Sequence, residues 1–178
     1  MLMKLFCLAV LIVLFAACSN NSQTNKLSKL AGLYKLHIIE NQDSAGVWKQ
    51  QAWASGGTGY IIYDGLGHMA VQITPKGYKD FQWLDEEASI NDKKIQQKID
   101  SMSIPELKAA LAEFSSSYVY IANYSIDDTA DIVQHERISS SLPVVWNTKV
   151  RRRFSFSGDT LILLVLNGNR RLKWIKQK

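Results

Sequence analysis

Residues 57–74 read GTGYIIYDGLGHMAVQIT, two short runs rich in aromatic and β-branched residues with a turn between them. Such residues favour the pleated, half-buried surface of a strand. Asp64, Gly65 and Gly67 supply the short side chains and positive-φ tolerance that a tight reversal needs. Pro75 and Gly77 end the second run. This is the sequence of an antiparallel hairpin, and neither run is long enough to stand as a domain.

The same grammar recurs on both sides. Upstream, AGLYKLHII (31–39) places Leu33, Lys35 and His37 on one side and the more apolar Tyr34, Leu36 and Ile38 on the other. Residues 47–54 give a weaker strand pattern around Trp48 and Trp53. Downstream, SYVYIANYSI (117–126) sets Tyr118, Tyr120, Ala122 and Tyr124 on one face. Further strands are expected at 130–138, 146–156, 160–166 and 170–176, with turns at Asp127–Asp128, Ser157–Asp159 and Asn167–Asn169.

The period changes between Phe81 and Ser117. Leu84, Ala88, Ile95, Ile99 and Met102 recur at helical spacings. Ser103 and Glu106 form a capping-box pattern with Pro105 in the first turn, so PELKAALAEF should be a helix that buries Leu107, Ala110, Leu111 and Phe114. It would cover part of a sheet or one end of a barrel. Eight or nine short strands joined by turns favour a mostly β, antiparallel meander barrel with one or two covering helices, because closure removes the exposed edges of an open sheet. A β-sandwich is the structural alternative.

Residues 1–17, MLMKLFCLAVLIVLFAA, have the order of a secretory signal: Lys4, an apolar run, then Ala16 and Ala17. The run is too short for an ordinary transmembrane helix. Cys18 follows, and LFAAC resembles a bacterial lipobox, with Phe15 in place of the usual aliphatic residue. The expectation is a lipidated Cys18 that anchors the chain to a membrane, weighed against a soluble secreted protein and an uncleaved anchor. Two acyl chains make a lasting anchor where one does not. Residues 18–29 then read as a polar tether and 30–178 as the folded domain. Cys7 lies within the leader, which leaves no disulfide and no cysteine cluster for a metal. Without Lys4 the formal charge of +5 becomes +4, a modest excess that favours an anionic surface and gives no reason to expect nucleic acid. Ser19 lacks acidic character, which fits sorting to the outer membrane under ordinary Gram-negative rules.

In order along the chain, AGLYKL (31–36), GYIIYDGLGHMAVQ (59–72), ELKAALAEF (106–114), YIANYSID (120–127), IVQHE (132–136), LPVVWNTKVRRRFSFSGDTLIL (142–163) and LKW (172–174) resemble the lipocalin-like domain family of bacterial proteins, a diverged branch of the calycin barrels. Tyr34 stands where relatives carry the tryptophan of a G-x-W motif. The resemblance covers about 30–176 and implies a barrel; it implies no particular substrate.

Alternation directs attention to a polar group inside an aromatic interior. His135 shares a face with Val133, and Arg152 shares one with Val150, Phe154 and Phe156. If those faces point inward, imidazole and guanidinium would meet a carboxylate or carbonyl on a mostly apolar ligand. Tyr60, Tyr118, Tyr120 and Tyr124 would supply walls and hydroxyl donors. His68 joins the candidates through the DGLGH segment, against a simple turn hydrogen bond. Each has a bland alternative: a satisfied core histidine, a solvated basic strand with Arg151 or Arg153 inward, tyrosines that merely fill a core. Trp174 and Trp146 read as structural, with Trp174 closing the barrel base near Tyr34. The chain lacks H-E-x-x-H, G-x-S-x-G, Walker and dinucleotide-binding signatures, and no cofactor, metal or nucleic-acid partner is expected. The leading expectation is a tethered module binding a small hydrophobic or amphiphilic molecule. A structural or protein-interaction lipoprotein, and an isomerase, cyclase or hydrolase using His135, stay open beside it.

Overall fold

The computed structural model describes residues 26–81, 92–166 and 168–178. The expected leader 1–17, Cys18 and most of the expected tether lie outside these residues, as do Leu84, Ala88 and Asn167. Nine antiparallel strands follow in chain order: β1 (Gly32–Gln42), β2 (Trp48–Gln50), β3 (Thr58–Tyr63), β4 (His68–Thr74), β5 (Tyr118–Asp127), β6 (Ile132–Ser140), β7 (Lys149–Ser157), β8 (Thr160–Val165) and β9 (Arg170–Lys176). Helices α1 (Lys93–Ser101) and α2 (Ile104–Ser115) are inserted between β4 and β5. The sheet runs β2-β1-β3-β4-β5-β6-β7-β8-β9, and β9 pairs back onto β1. Eight strands therefore close a barrel and β2 is a short appendage on β1, which replaces the sandwich alternative.

Strict alternation builds the wall. β3 and β4 turn Ile61, Tyr63, Met69, Val71 and Ile73 inward onto one core with Tyr34, Tyr120, Leu163 and Trp174. The β3–β4 turn follows the hairpin reading. Asp64 Oδ1 accepts from the backbone N–H groups of Leu66, Gly67 and His68, and Gly65 takes φ +79°. Gly59 is the inward residue of β3 that lets β1 come close: a Cβ there would lie 2.9 Å from that of Leu36.

Two elements depart from expectation. The β1–β9 register slips between Leu36 and Ile38, so the bulge moves the buried position from Ile38 to Ile39, and simple alternation fails past His37. In residues 47–54 only Trp48–Gln50 are strand, and Ala52–Ala54 form a 3-10 turn.

The two barrel ends differ. At the base, a 3-10 turn (Ser28–Leu30) tucks Leu27 and Leu30 under the strands, where the Tyr34 and Tyr124 hydroxyls donate to the carbonyls of Leu30 (3.1 Å) and Leu27 (2.9 Å). Lys26 and Lys29 pair with Asp128 in the β5–β6 turn. Packing thus begins before Leu30, within the last residues of the expected tether. The opposite end carries both helices, the Ala52–Ala54 turn and a 3-10 turn at Pro143–Val145.

Helix α2 starts as read: the Ser103 hydroxyl accepts from the Glu106 N–H, and Glu106 Oε2 accepts from the Ser103 N–H at 2.7 Å. Its apolar stripe is the correction. Leu107, Leu111 and Phe114 are exposed, Ala110 is half-buried, and no residue of α2 is buried. Phe114 instead stacks on Tyr78, and Ser115 at the C-terminal end of the helix joins the cavity lining.

Candidate functional site

Strands β5, β6 and β7 bring the sequence candidates into one interior. Their registers pair Tyr124 with His135 and Val133 with Arg152, and β6 meets β7 without a slip. Arg152 therefore points inward, while Arg151 and Arg153 stand exposed on the outer face. His135 is wholly buried. The Tyr63 hydroxyl lies 2.9 Å from its Nε2 and the Tyr120 hydroxyl 2.8 Å from its Nδ1. A neutral imidazole has one donor and one acceptor nitrogen, so one tyrosine donates to the ring and the other accepts from it. Burial, then the charges of Arg152 and Arg137, push the His135 pKa down to about 3. Burial likewise raises Tyr120 to about 12, opposed by Arg152.

Above this network is a cavity of about 360 Å³ at the helical end of the barrel. Ile73, Leu172 and Trp53 form apolar wall, Tyr118 stands edge-on to Tyr120, and Arg152, Arg170 and Gln51 bring polar groups. Ser115 and Ser116 from the end of α2 complete the rim. Arg152 lies opposite Val165, and Leu164 lies opposite Arg171, so Arg152 and Arg170 enter from the strands on either side of β8. Burial, then repulsion from Arg152, holds the Arg170 pKa below its usual value. Buried Nη1 of Arg152, Nε of Arg170 and Oε1 of Gln51 have no hydrogen-bond partner. Arg137 is a third interior guanidinium, set over the Tyr120 ring 5.5 Å from its centroid.

Of the seven ligand candidates, Arg152 and Tyr118 line the cavity, while Tyr120, Tyr124 and His135 lie in the core beneath it. His135 is thus not among the groups facing a cavity ligand, because both ring nitrogens are taken by tyrosines. Tyr60 is corrected: it is an exposed residue on the outer face of β3, where parity makes Tyr63 the inward one. His68 is corrected too. Its side chain is 69% exposed at the base end, and Nδ1 bonds Asp64 Oδ2 at 2.7 Å. Burial would raise Asp64, but hydrogen bonds from His68, Leu66 and Gly67 outweigh it and hold the carboxyl at about 2.

Sequence reasoning missed Arg170, Arg137, Gln51 and Tyr63. Arg170 was findable, since it shares a strand face with Leu172 and Trp174, two of the most apolar positions of β9. Arg137 shares one with Val133 and His135. Gln51 sits outside regular strand and carries no such signal. Among the described residues, no group of three or more His, Cys, Asp or Glu side chains is gathered to hold a metal ion.

A closed antiparallel barrel, sealed at one end and hollow at the other, is the architecture of the calycin barrels. The chain belongs to the lipocalin-like domain family, whose model matches residues 31–176. A solved structure of a lipocalin-like protein from Bacteroides uniformis is similar at a TM-score of 0.40 and 12% identity, over 83% of this chain and 98% of that one. No curated protein matches the chain.

Proposed function

We propose that this protein is a lipid-anchored envelope module, mature from Cys18 and held at the outer membrane, that carries a small amphiphilic molecule in its barrel. The observation that carries this reading is the cavity itself: apolar wall from Ile73, Leu172 and Trp53 set against a polar side built by Gln51, Arg152 and Arg170. Small-molecule sites join apolar wall to convergent polar groups that fix orientation, and the large polar share here suits an amphiphile better than a purely apolar cargo. The LFAAC run at 14–18 supports the anchor. Native mass spectrometry of the full chain, followed by organic extraction, is expected to release an apolar or amphiphilic compound. A chain that is empty and takes up no apolar probe would overturn the binding reading. The N-terminal peptide should carry a thioether-linked diacylglyceryl group on Cys18, and Cys18→Ala should release the protein from membranes.

A second reading has an observation of its own. Leu33, Ile62 and Ile121 are exposed, and the registers Leu33–Ile62, Ile62–Ala70 and Ala70–Ile121 place them in one row across the outer wall. A contiguous apolar row on a wall facing solvent favours a protein-interaction role.

A further inference from the structure

The charges in the interior are lopsided. Arg171 and Lys173, which face outward on β9, share Glu40 at 2.6 and 2.9 Å. Among the described residues, Arg152 and Arg170, which face the cavity, have no ion pair, and the buried polar residues are His135 and Arg137, neither of which pairs with a carboxylate. Glu113 at the mouth packs its carboxylate against Gly77, where its buried Oε1 has no hydrogen-bond partner among the described residues and forms no ion pair with either arginine. Guanidinium groups stay charged, and two of them left unpaired in a half-buried space are costly unless an anion joins them.

The unpartnered atoms have a chemistry of their own. Arg152 Nη1 and Arg170 Nε are two N–H donors, one from each side of β8. Gln51 Oε1 is an acceptor on the same cavity and lacks a donor. Both guanidinium groups line the one cavity, and two cations with spare N–H donors suit an anionic head group such as a carboxylate. An O–H or N–H beside the carboxylate would satisfy Gln51 Oε1, which a bare carboxylate leaves unpaired. A neutral amphiphile would leave both donors unpaired.

Building on the reading of the cavity as a ligand site, we propose that it selects small carboxylic acids bearing a hydrogen-bond donor next to the carboxylate, such as hydroxy acids or N-acyl amino acids. Arg152 and Arg170 take the carboxylate, Gln51 takes the donor, and Ile73 and Leu172 take the apolar tail.

The test is calorimetric titration of the full chain in phosphatidylcholine nanodiscs, with empty nanodiscs subtracted, using octanoate, 3-hydroxyoctanoate, octan-1-ol and octyl phosphate. The wild-type protein should bind 3-hydroxyoctanoate most tightly, and octanoate about tenfold or more above octan-1-ol. Arg152→Gln and Arg170→Gln should each bring octanoate affinity down to that of octan-1-ol measured on the same variant. Gln51→Leu should erase only the advantage of the hydroxyl. Equal affinity for octanoate and octan-1-ol would overturn the anion assignment and leave the cavity reading standing. Octyl phosphate as the tightest probe would overturn the carboxylate. Binding of none of the four would remove the cavity reading itself. The order of the four probes on the wild-type protein decides between these outcomes even if a variant fails to fold.

Discussion

His135 has the environment of a structural group, with one tyrosine hydroxyl on each ring nitrogen and no exposed surface. Its buried state sets a pH dependence. The unfolded chain takes up a proton near the ordinary histidine value of 6.5, which the folded chain refuses until about 3. Stability is therefore full above about pH 6.5 and falls as the pH drops through that window, by ~1.4 kcal/mol per unit from this one group. His135→Leu should cost about 2–5 kcal/mol at pH 7.5, because it leaves the hydroxyls of Tyr63 and Tyr120 unpaired. It should also flatten the stability profile between pH 6 and 4. Urea titrations across that range measure both effects, and an unchanged acid slope would show that another group governs it. Arg152 was legible in the sequence because β6 and β7 pair without a slip, so parity counted along VRRRF held. Tyr60 was misread for a related reason: an aromatic residue was chosen where only the parity set by Ile61 and Tyr63 identifies the inward face.

At the scale of elements, strand positions and turns follow from local chemistry, while what lies opposite an apolar stripe does not. Residues 104–115 have sound helical signals and form α2, yet Leu107, Leu111 and Phe114 of the stripe expected to be buried are exposed, because periodicity fixes a helix's apolar face and not what packs on it. Leu111, 67% exposed, should therefore tolerate substitution: Leu111→Glu is expected to change stability by less than about 0.5 kcal/mol. Trp174 supplies the contrast. It is 1% exposed on β9 beside Leu36 of β1, at the seam that closes the barrel, and Trp174→Ala should cost about 3–5 kcal/mol. Denaturant titration of both variants checks the pair. The β1 bulge at His37 is the other feature that periodicity conceals, since it depends on how two distant strands meet.

Across the whole molecule, the barrel has a sealed pole and an open one. Leu27, Leu30, Tyr34 and Tyr124 close the base where the chain enters from its N-terminal segment, and the cavity with Arg152 and Arg170 opens at the other end among the helices and short turns. An anchor at Cys18 would attach at the sealed pole and leave the mouth directed away from it. The central claim is that a ligand enters this mouth head-first toward the arginines. A crystal of the protein grown with 8-bromooctanoate tests it through the anomalous signal of bromine. The account predicts a single bromine peak within the barrel mouth, with the carboxylate density on Arg152 and Arg170. A peak on the outer wall beside Ile62 and Ile121, with the interior unchanged, would contradict it.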